Sequence, residues 1–385
     1  MRILHTSDWH LGRIFNNIHL TDDQSYILNQ IKQIIRDYCV DVIVVAGDIF
    51  DRAVPPPEAV TLLDNTLNDF LIDCKKNVII ISGNHDSPDR LSFGSRLFAH
   101  HGLHLFGNFQ YPIPRITLHD THGEVHFYAV PFSEPSIVRE RCGRETIREH
   151  NDAMMTITES IAETAFDNTR SIFCGHAFVQ GGIIQESERP ISVGGSGAVD
   201  LHNFNKFNCT LLGHLHKAQW FSAFPVHYCG SILPYSFSEI DHQKSVTIID
   251  LDATGKHSYE YVPLTPRFAF RSITGMMDTI LFDAVKDSSP NDYILIRLED
   301  TVPVLDAIGK LRTVYPNIMA IERPGLEAII TASQKSSIDH RTMTDDDLFK
   351  AFYQEVKGEP MNDTQIEFLH SVFESMQNRE REVDS

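Results

Sequence analysis

Five short strings concentrate carboxylate, amide and imidazole side chains: Asp8-Trp9-His10, Gly47-Asp48-Ile49-Phe50-Asp51, Gly83-Asn84-His85-Asp86, Gly175-His176 and Gly213-His214-Leu215-His216. Four of the five follow an apolar run. Such a run reads as a buried strand, so the polar residues after it gather where strands end, at one edge of a sheet. A gathering of that kind is what two adjacent metal ions require, and the chemistry it implies is hydrolysis of a phosphate ester.

A phosphodiester resists attack because its anionic oxygens repel a nucleophile. Two metal ions roughly 3.5–4 Å apart answer this by screening those oxygens and by making hydroxide available near neutral pH. The pair needs a shared carboxylate, and Asp48 is the best placed, at the mouth of the most apolar strand. Asp8 and His10, two apart, can both reach one metal from a turn, while Asn84 offers a neutral carbonyl oxygen and His176, His214 and His216 offer imidazole nitrogens. A donor set without thiolate favours Mn or Fe over Mg, which prefers oxygen alone; Zn also fits. His85, beside Asn84, is expected to face the substrate. There an imidazolium stabilises the transition state or protonates the leaving oxygen, an effect worth ~10²–10⁴ in rate. Asp86 is expected to orient it. With 20 histidines some local pairs are unavoidable, but all five strings in order are hard to obtain by chance.

The elements that must carry these strings follow from pattern. Residues 2–7 read as a short strand. Thr21 and Gln24 form a T-x-x-Q capping box before a helix with Ile27, Ile31, Ile34 and Ile35 on one face. Residues 41–46, nearly all β-branched, fit a strand covered on both faces. A second β-α unit repeats the first: Pro55-Pro56-Pro57 stiffens a loop, a helix covers 60–71 and a strand covers 78–81. Short strands dominate from Leu103, a long amphipathic helix runs over 146–165, and a strand ends at Cys174. The predicted class is α/β, a layered sandwich over residues 1–264. Pro263-Leu264-Thr265-Pro266 is a plausible linker. Beyond it strands at 269–273, 293–298 and 318–322 alternate with helices at 277–285 and 304–315, giving a smaller α+β domain over 267–335. Two helices, 345–356 and 364–376, close the chain within 341–385.

Other candidates are weaker. Gly194-Gly195-Ser196-Gly197 lacks the Lys and helix start of a P-loop and reads as a flexible turn. His5 reads as a core histidine, His100-His101 as solvated surface, and Trp9 and Trp220 as packing groups. Arg52 is either a phosphate contact or a surface charge. The formal net charge of -19 argues against a protein that binds nucleic acid by a coat of Lys and Arg, although two divalent ions would offset four charges where a phosphate sits. The six cysteines show no C-x-x-C pair and read as reduced core residues. No apolar run approaches the ~18 residues of a membrane span, so a cytoplasmic protein without membrane association is expected.

The five strings resemble those of the calcineurin-like metallophosphoesterases. The chain resembles more closely the nuclease-subunit family of bacterial SbcCD complexes. The strings behind this are Met1 through Gly12, Val45 through Asp51, Ser82 through Ser87, Leu212 through Gln219, Tyr228-Cys229-Gly230-Ser231 and Ser236-Phe237-Ser238-Glu239. The resemblance covers the first two-thirds by motif and the remainder by domain order and size. It implies a four-layer αββα sandwich with a capping domain. The implied activity is Mn-dependent DNA cleavage, as a 3′-to-5′ exonuclease and an endonuclease on hairpins and single strands. It implies an SMC-like ABC ATPase as partner, bound by the terminal helices, and a homodimer within a heterotetramer at the nucleoid. By motif position Asp8, His10, Asp48 and His216 would hold one Mn ion, and Asp48, Asn84, His176 and His214 the other. His85 would take the leaving-group role. Asp51 departs from archaeal and eukaryotic relatives, which carry His there. Two other readings compete: a phosphoesterase of the same fold acting on a small molecule or phosphoprotein, and a scaffold on a catalytically dead fold. No expected ligand position carries an inert residue, which speaks against the second.

Overall fold

The computed structural model describes residues 1–165, 169–189, 191 and 197–324, with short pieces between 349 and 369. Two six-stranded sheets form its larger part. In chain order the first contains β1 (Arg2–Thr6), β2 (Val42–Ala46), β3 (Asn77–Ile81) and β4 (Leu103–Phe106). The second contains β5 (Arg115–Asp120), β6 (Gly123–Val130), β7 (Arg170–His176), β8 (Cys209–Gly213), β9 (Gln219–Phe221) and β10 (Val226–Tyr228). Strands β11 (Ser245–Leu251) and β12 (His257–Pro263) then return to the first sheet. Spatial orders are β12-β11-β1-β2-β3-β4 and β9-β10-β8-β7-β6-β5. Strands β1 to β4 are mutually parallel, with β4 at the sheet edge, as are β6, β7, β8 and β10; β11 and β12 continue the first sheet antiparallel beyond β1, and β5 and β9 flank the second.

Alternation along β2 shows how the layers stack. Val42, Val44 and Ala46 face a core shared with Ile79, Ile81, Phe127, Ala129, Ile172, Cys174 and Leu211, residues of both sheets. Ile43 and Val45 face the other way, onto Ile27, Ile31 and Ile35 of helix α1 (Thr21–Asp37). Helix α2 (Pro57–Asn68) belongs to the same outer layer through Ala59. On the far face of the second sheet, Tyr128, Phe173 and Leu212 pack with Val138 of α3 (Pro135–Cys142) and with Ala153, Ile157 and Ile161 of α4 (His150–Ala165). Helix, sheet, sheet, helix is the expected four-layer order. A strand buried on both faces has no polar alternation, which is why β2 reads as a continuous apolar run.

Two local expectations change. The T-x-x-Q box does not cap α1: Leu20 is the N-cap and no side chain caps the helix. Gln24 turns inward instead, because its amide satisfies main-chain groups of the first motif loop, as described below. Of the cysteines, Cys174, Cys209 and Cys229 are buried, but Cys39 is exposed and Cys74 and Cys142 are half-buried; all six are free.

After β12 a three-stranded sheet has the order β13 (Phe270–Gly275), β14 (Tyr293–Leu298), β15 (Ile318–Glu322), with helices α5 (Met277–Ala284) and α6 (Ala307–Arg312) between them in sequence. By compactness the chain falls into one unit of residues 1–272, 289–295 and 315–320, and a second of 273–288, 296–314 and 321–385. Of the terminal helices only 349–350, 352–354, 363–366 and 368–369 are described, all helical; the rest of both, and residues 325–335, lie outside the described residues. Most of the Gly194–Gly197 turn does too. No helix among the described residues is long and apolar enough to cross a membrane.

Candidate metal centre

All five strings lie at the C-terminal ends of β1, β2, β3, β7 and β8, where parallel strands of the two sheets open on one edge. Main-chain bonds knit the loops together: Asp8 N donates to Gly47 O at 3.0 Å, His10 N to Asp48 O at 3.0 Å and Leu11 N to Ile49 O at 2.9 Å. Gln24 Nε2 donates to Trp9 O at 3.1 Å and to His10 O at 2.7 Å, while its Oε1 accepts from Gly12 N at 3.0 Å.

The backbone is strained where the donors are. Asp8 (φ 51°), His10 (φ 46°), Asp48 (φ 51°) and His214 (φ 105°) are four of the nine non-glycine residues with positive φ among the described residues. Such conformations cost of order 1–3 kcal/mol each and persist only where the surroundings enforce them. Two motif glycines serve the close approach. A Cβ on Gly47, at φ 90°, would stand 2.4 Å from His176 Nδ1, and one on Gly83 would stand 2.1 Å from Asp48 Oδ1.

The donor atoms form two overlapping groups around Asp48, and Asp8 has ligand atoms within 4.8 Å of Asp48 and His176 as well as of His10 and His216. His10 Nε2 lies 3.1 Å from His216 Nε2 and 3.7 Å from Asp48 Oδ2, and Asp8, His10 and His216 have ligand atoms all within 4.8 Å of one another. In the second group His176 Nε2 lies 3.6 Å from Asp48 Oδ2 and 2.9 Å from Asn84 Oδ1, and His214 Nδ1 lies 3.3 Å from Asn84 Oδ1. The structure thus brings together all seven residues singled out as ligands.

The chemistry of this set fits a cation. Asp8 and Asp48 are 0% and 2% exposed, and neither pairs with Lys or Arg among the described residues. Burial and the neighbouring Asp48 charge raise the Asp8 pKa well above its ordinary value. Burial lowers the pKa values of His10, His176, His214 and His216, so their rings are neutral and carry lone pairs. Two buried carboxylates ringed by neutral imidazoles are costly unless a positive ion offsets them. The cluster is a divalent-metal site.

His85 sits at the rim, half-buried, with Nε2 4.0 Å from Asp48 Oδ2. Its Nδ1 lies 2.9 Å from the main-chain oxygen of Asp51, to which it donates. The expected orienting role of Asp86 is therefore not what the structure shows. The Asp86 carboxylate accepts main-chain N–H bonds from Ile49 (3.1 Å), Phe50 (2.9 Å) and Gly83 (2.9 Å) and so latches two motif loops together. Burial and the Asp48 charge push its pKa up to about 7. Asp51 accepts from Arg13 at 2.8 Å, and its Oδ1 stands 3.6 Å behind His10 Nδ1.

Residues that sequence reasoning passed over surround His216. Glu188 Oε1 accepts from His216 N at 2.6 Å, and Lys244 Nζ donates to His216 O at 2.9 Å. His216 Nδ1 lies 2.7 Å from Ser187 Oγ and 3.2 Å from Glu239 Oε1. Only Glu239 carried a signal, within the Ser236-Phe237-Ser238-Glu239 string. Trp9 is buried, donates to Thr6 Oγ1 at 2.9 Å and meets Phe70 edge-on, while Trp220 lies tilted against His227 with ring centroids 3.8 Å apart; both are packing groups. His5 is a core residue, His100 and His101 are exposed, and so is Arg52.

A two-sheet sandwich with a divalent-metal cluster at its strand ends defines a metallophosphoesterase, and residues 1–218 match the calcineurin-like phosphoesterase family. Residues 267–357 match a second family, described as the type 5 capsule protein repressor C-terminal domain. The SbcD component of the SbcCD nuclease from Staphylococcus epidermidis is 31% identical over 99% of this chain and 100% of that protein. Its namesake in Staphylococcus saprophyticus is 30% identical over 98% of each. The chain belongs to the SbcD family of SbcCD nuclease components, within the calcineurin-like phosphoesterases. Among solved structures, a dimetal phosphatase from Danio rerio aligns at 12% identity and a TM-score of 0.43, over 69% of this chain and 97% of that one.

Proposed function

We propose that this protein is a Mn-dependent DNA nuclease, a double-strand 3′-to-5′ exonuclease and a single-strand and hairpin endonuclease. The observation that carries the reading is the pair of donor groups sharing Asp48, in a chain alike to SbcCD nuclease components over its whole length. Asp8, His10, Asp48 and His216 hold one Mn ion, and Asp48, Asn84, His176 and His214 the other. When bound, the two ions screen the phosphodiester's charge and make hydroxide available near neutral pH.

The chain's own residues do the rest. Asp48 is held rigidly between the groups, its Oδ1 accepting from His85 N at 2.9 Å. His85, with Nδ1 committed to Asp51 O, holds Nε2 at the rim, 4.0 Å from Asp48 Oδ2, from where the ring gives a proton to the departing sugar oxygen as the P–O bond breaks. Gln24 and Asp86 fix the loops, so the donors need no rearrangement at the moment of reaction.

The names of the relatives support a complex with an SbcC-type partner; we take that partner to be an SMC-like ABC ATPase and the complex to act on DNA in the cytoplasm at the nucleoid. In this reading residues 1–264 are the nuclease domain and 267–335 cap it. Residues 341–385 bind the ATPase, and two copies join in a heterotetramer. A basic partner surface would supply the positive charge that a chain of net -19 lacks.

The test is cleavage of end-labelled hairpin and linear duplex DNA by the full chain with Mn, Mg or EDTA, beside an aryl phosphodiester. Mn-dependent DNA cutting that disappears in Asp48→Ala, together with both bound ions, is expected. Turnover of the aryl ester with intact DNA would move the assignment to a small-molecule phosphodiesterase.

A further inference from the structure

The two donor groups differ in what stands behind their histidines. His176 Nδ1 donates to a neutral acceptor, the main-chain oxygen of Ala46, at 2.9 Å. His216 is backed by a buried charged assembly. Ser187 Oγ donates to Glu239 Oε1, so the Ser187 oxygen 2.7 Å from His216 Nδ1 can only accept there. His216 therefore carries its proton on Nδ1 and presents the lone pair of Nε2 toward His10 and Asp8. Glu239 is 0% exposed and Lys244 5%, and Lys244 Nζ donates to Glu239 Oε2 at 2.5 Å and to Ser231 Oγ at 2.8 Å. A buried ion pair is a poor device for stability alone, since desolvation offsets most of its attraction. Here it places an anionic oxygen 3.2 Å from the back of a ligand imidazole. A carboxylate behind a ligating histidine fixes the ring and raises its basicity.

We propose that Glu239, held by Lys244 and bridged by Ser187, is a positioning residue that sets His216 for metal. It thereby makes the position of Asp8, His10 and His216 the tighter of the two, so that the ions enter in a fixed order. The inference rests on the two-metal reading above. His176 has only a main-chain carbonyl behind it and Asn84 is a neutral ligand, so the second position lacks a charged backing for its histidine.

The test is a Mn(II) titration of the EDTA-stripped full chain, with free ion counted by EPR. It compares wild type, Glu239→Gln and Glu239→Asp and records the metal-free melting temperature alongside. Two unequal steps are expected in wild type. In Glu239→Gln the first should weaken by about 10–100-fold while the second is unchanged, with partial recovery in Glu239→Asp. Equal weakening of both steps, or an unchanged first step whatever the melting temperature does, overturns the proposal and leaves Glu239 a structural residue. A wild type that takes one Mn ion overturns the two-metal reading and the filling order, and Glu239→Gln then tests the backing of His216 on that single step. Should Glu239→Gln fail to fold, Ser187→Ala removes the hydroxyl bridge, keeps the Lys244–Glu239 pair and is judged by the same selective loss.

Discussion

Gly83→Ala isolates the geometry of the centre from its chemistry, because it deletes no donor. Gly83 has no positive φ, so alanine meets no backbone strain there and the only consequence is space. The new Cβ would stand 2.1 Å from Asp48 Oδ1, 2.4 Å from Asp48 N and 2.7 Å from Asp48 Cγ. Real Cβ contacts essentially never fall under 3.0 Å, so Asp48 must retreat from 2.1 Å to at least 3.0 Å, about 0.9 Å. Asp48 is 2% exposed and cannot swing into solvent, and the neighbour it is pushed against is the donor cluster itself. Overpacking of this kind costs about 1–3 kcal/mol of stability. A misplacement of ~1 Å at a reacting centre costs ~10²-fold in rate, which is about 2.7 kcal/mol of barrier. The assay is single-turnover cleavage of a labelled DNA hairpin at saturating Mn, with thermal melting to show that the variant folds. A folded Gly83→Ala protein that cuts within threefold of wild type would refute the view that the Gly83–Asp48 approach sets the site.

Two further outcomes are expected. His85→Gln should keep both ions, counted by elemental analysis, yet cleave at least ~10-fold more slowly; parallel loss of metal would make His85 a ligand. Asp120→Asn should lower stability by about 3 kcal/mol, because it leaves Arg170, 5% exposed, without the carboxylate it grips at 2.6 and 2.7 Å. The hydrogen bonds from Arg170 hold the Asp120 pKa below its ordinary value, so that contribution is full above about pH 4 and drains as pH falls toward the folded value. The melting temperature of wild type should fall more steeply than that of Asp120→Asn on acidification below pH ~4, and parallel curves would contradict it.

What could be read from the residues was whatever chemistry and position in the chain express together. Asp48 follows five consecutive buried strand residues, so its place at a strand end was visible, as were the two β-α units that bring Asp8 and Asn84 beside it. Contacts that depend on how loops fold over one another left no such trace. Gln24 sits where a helix cap would, and only the structure shows its amide spanning the main chain of Trp9, His10 and Gly12. Asp86 is adjacent to His85 in sequence but serves the amides of Ile49, Phe50 and Gly83. Ser187, Glu188 and Lys244 reach His216 across 29, 28 and 28 positions from segments without local pattern.

The dispersal of the donors over both sheets has a consequence for synthesis in the cell. His10 and His216 meet across 206 positions, and no stretch of chain short of the eighth strand's end contains both halves of the site. A nascent polypeptide therefore lacks a complete donor set until more than half of it has been translated. The same holds for any fragment that stops before that point. Topology alone ties assembly of the donor set to synthesis of the second sheet.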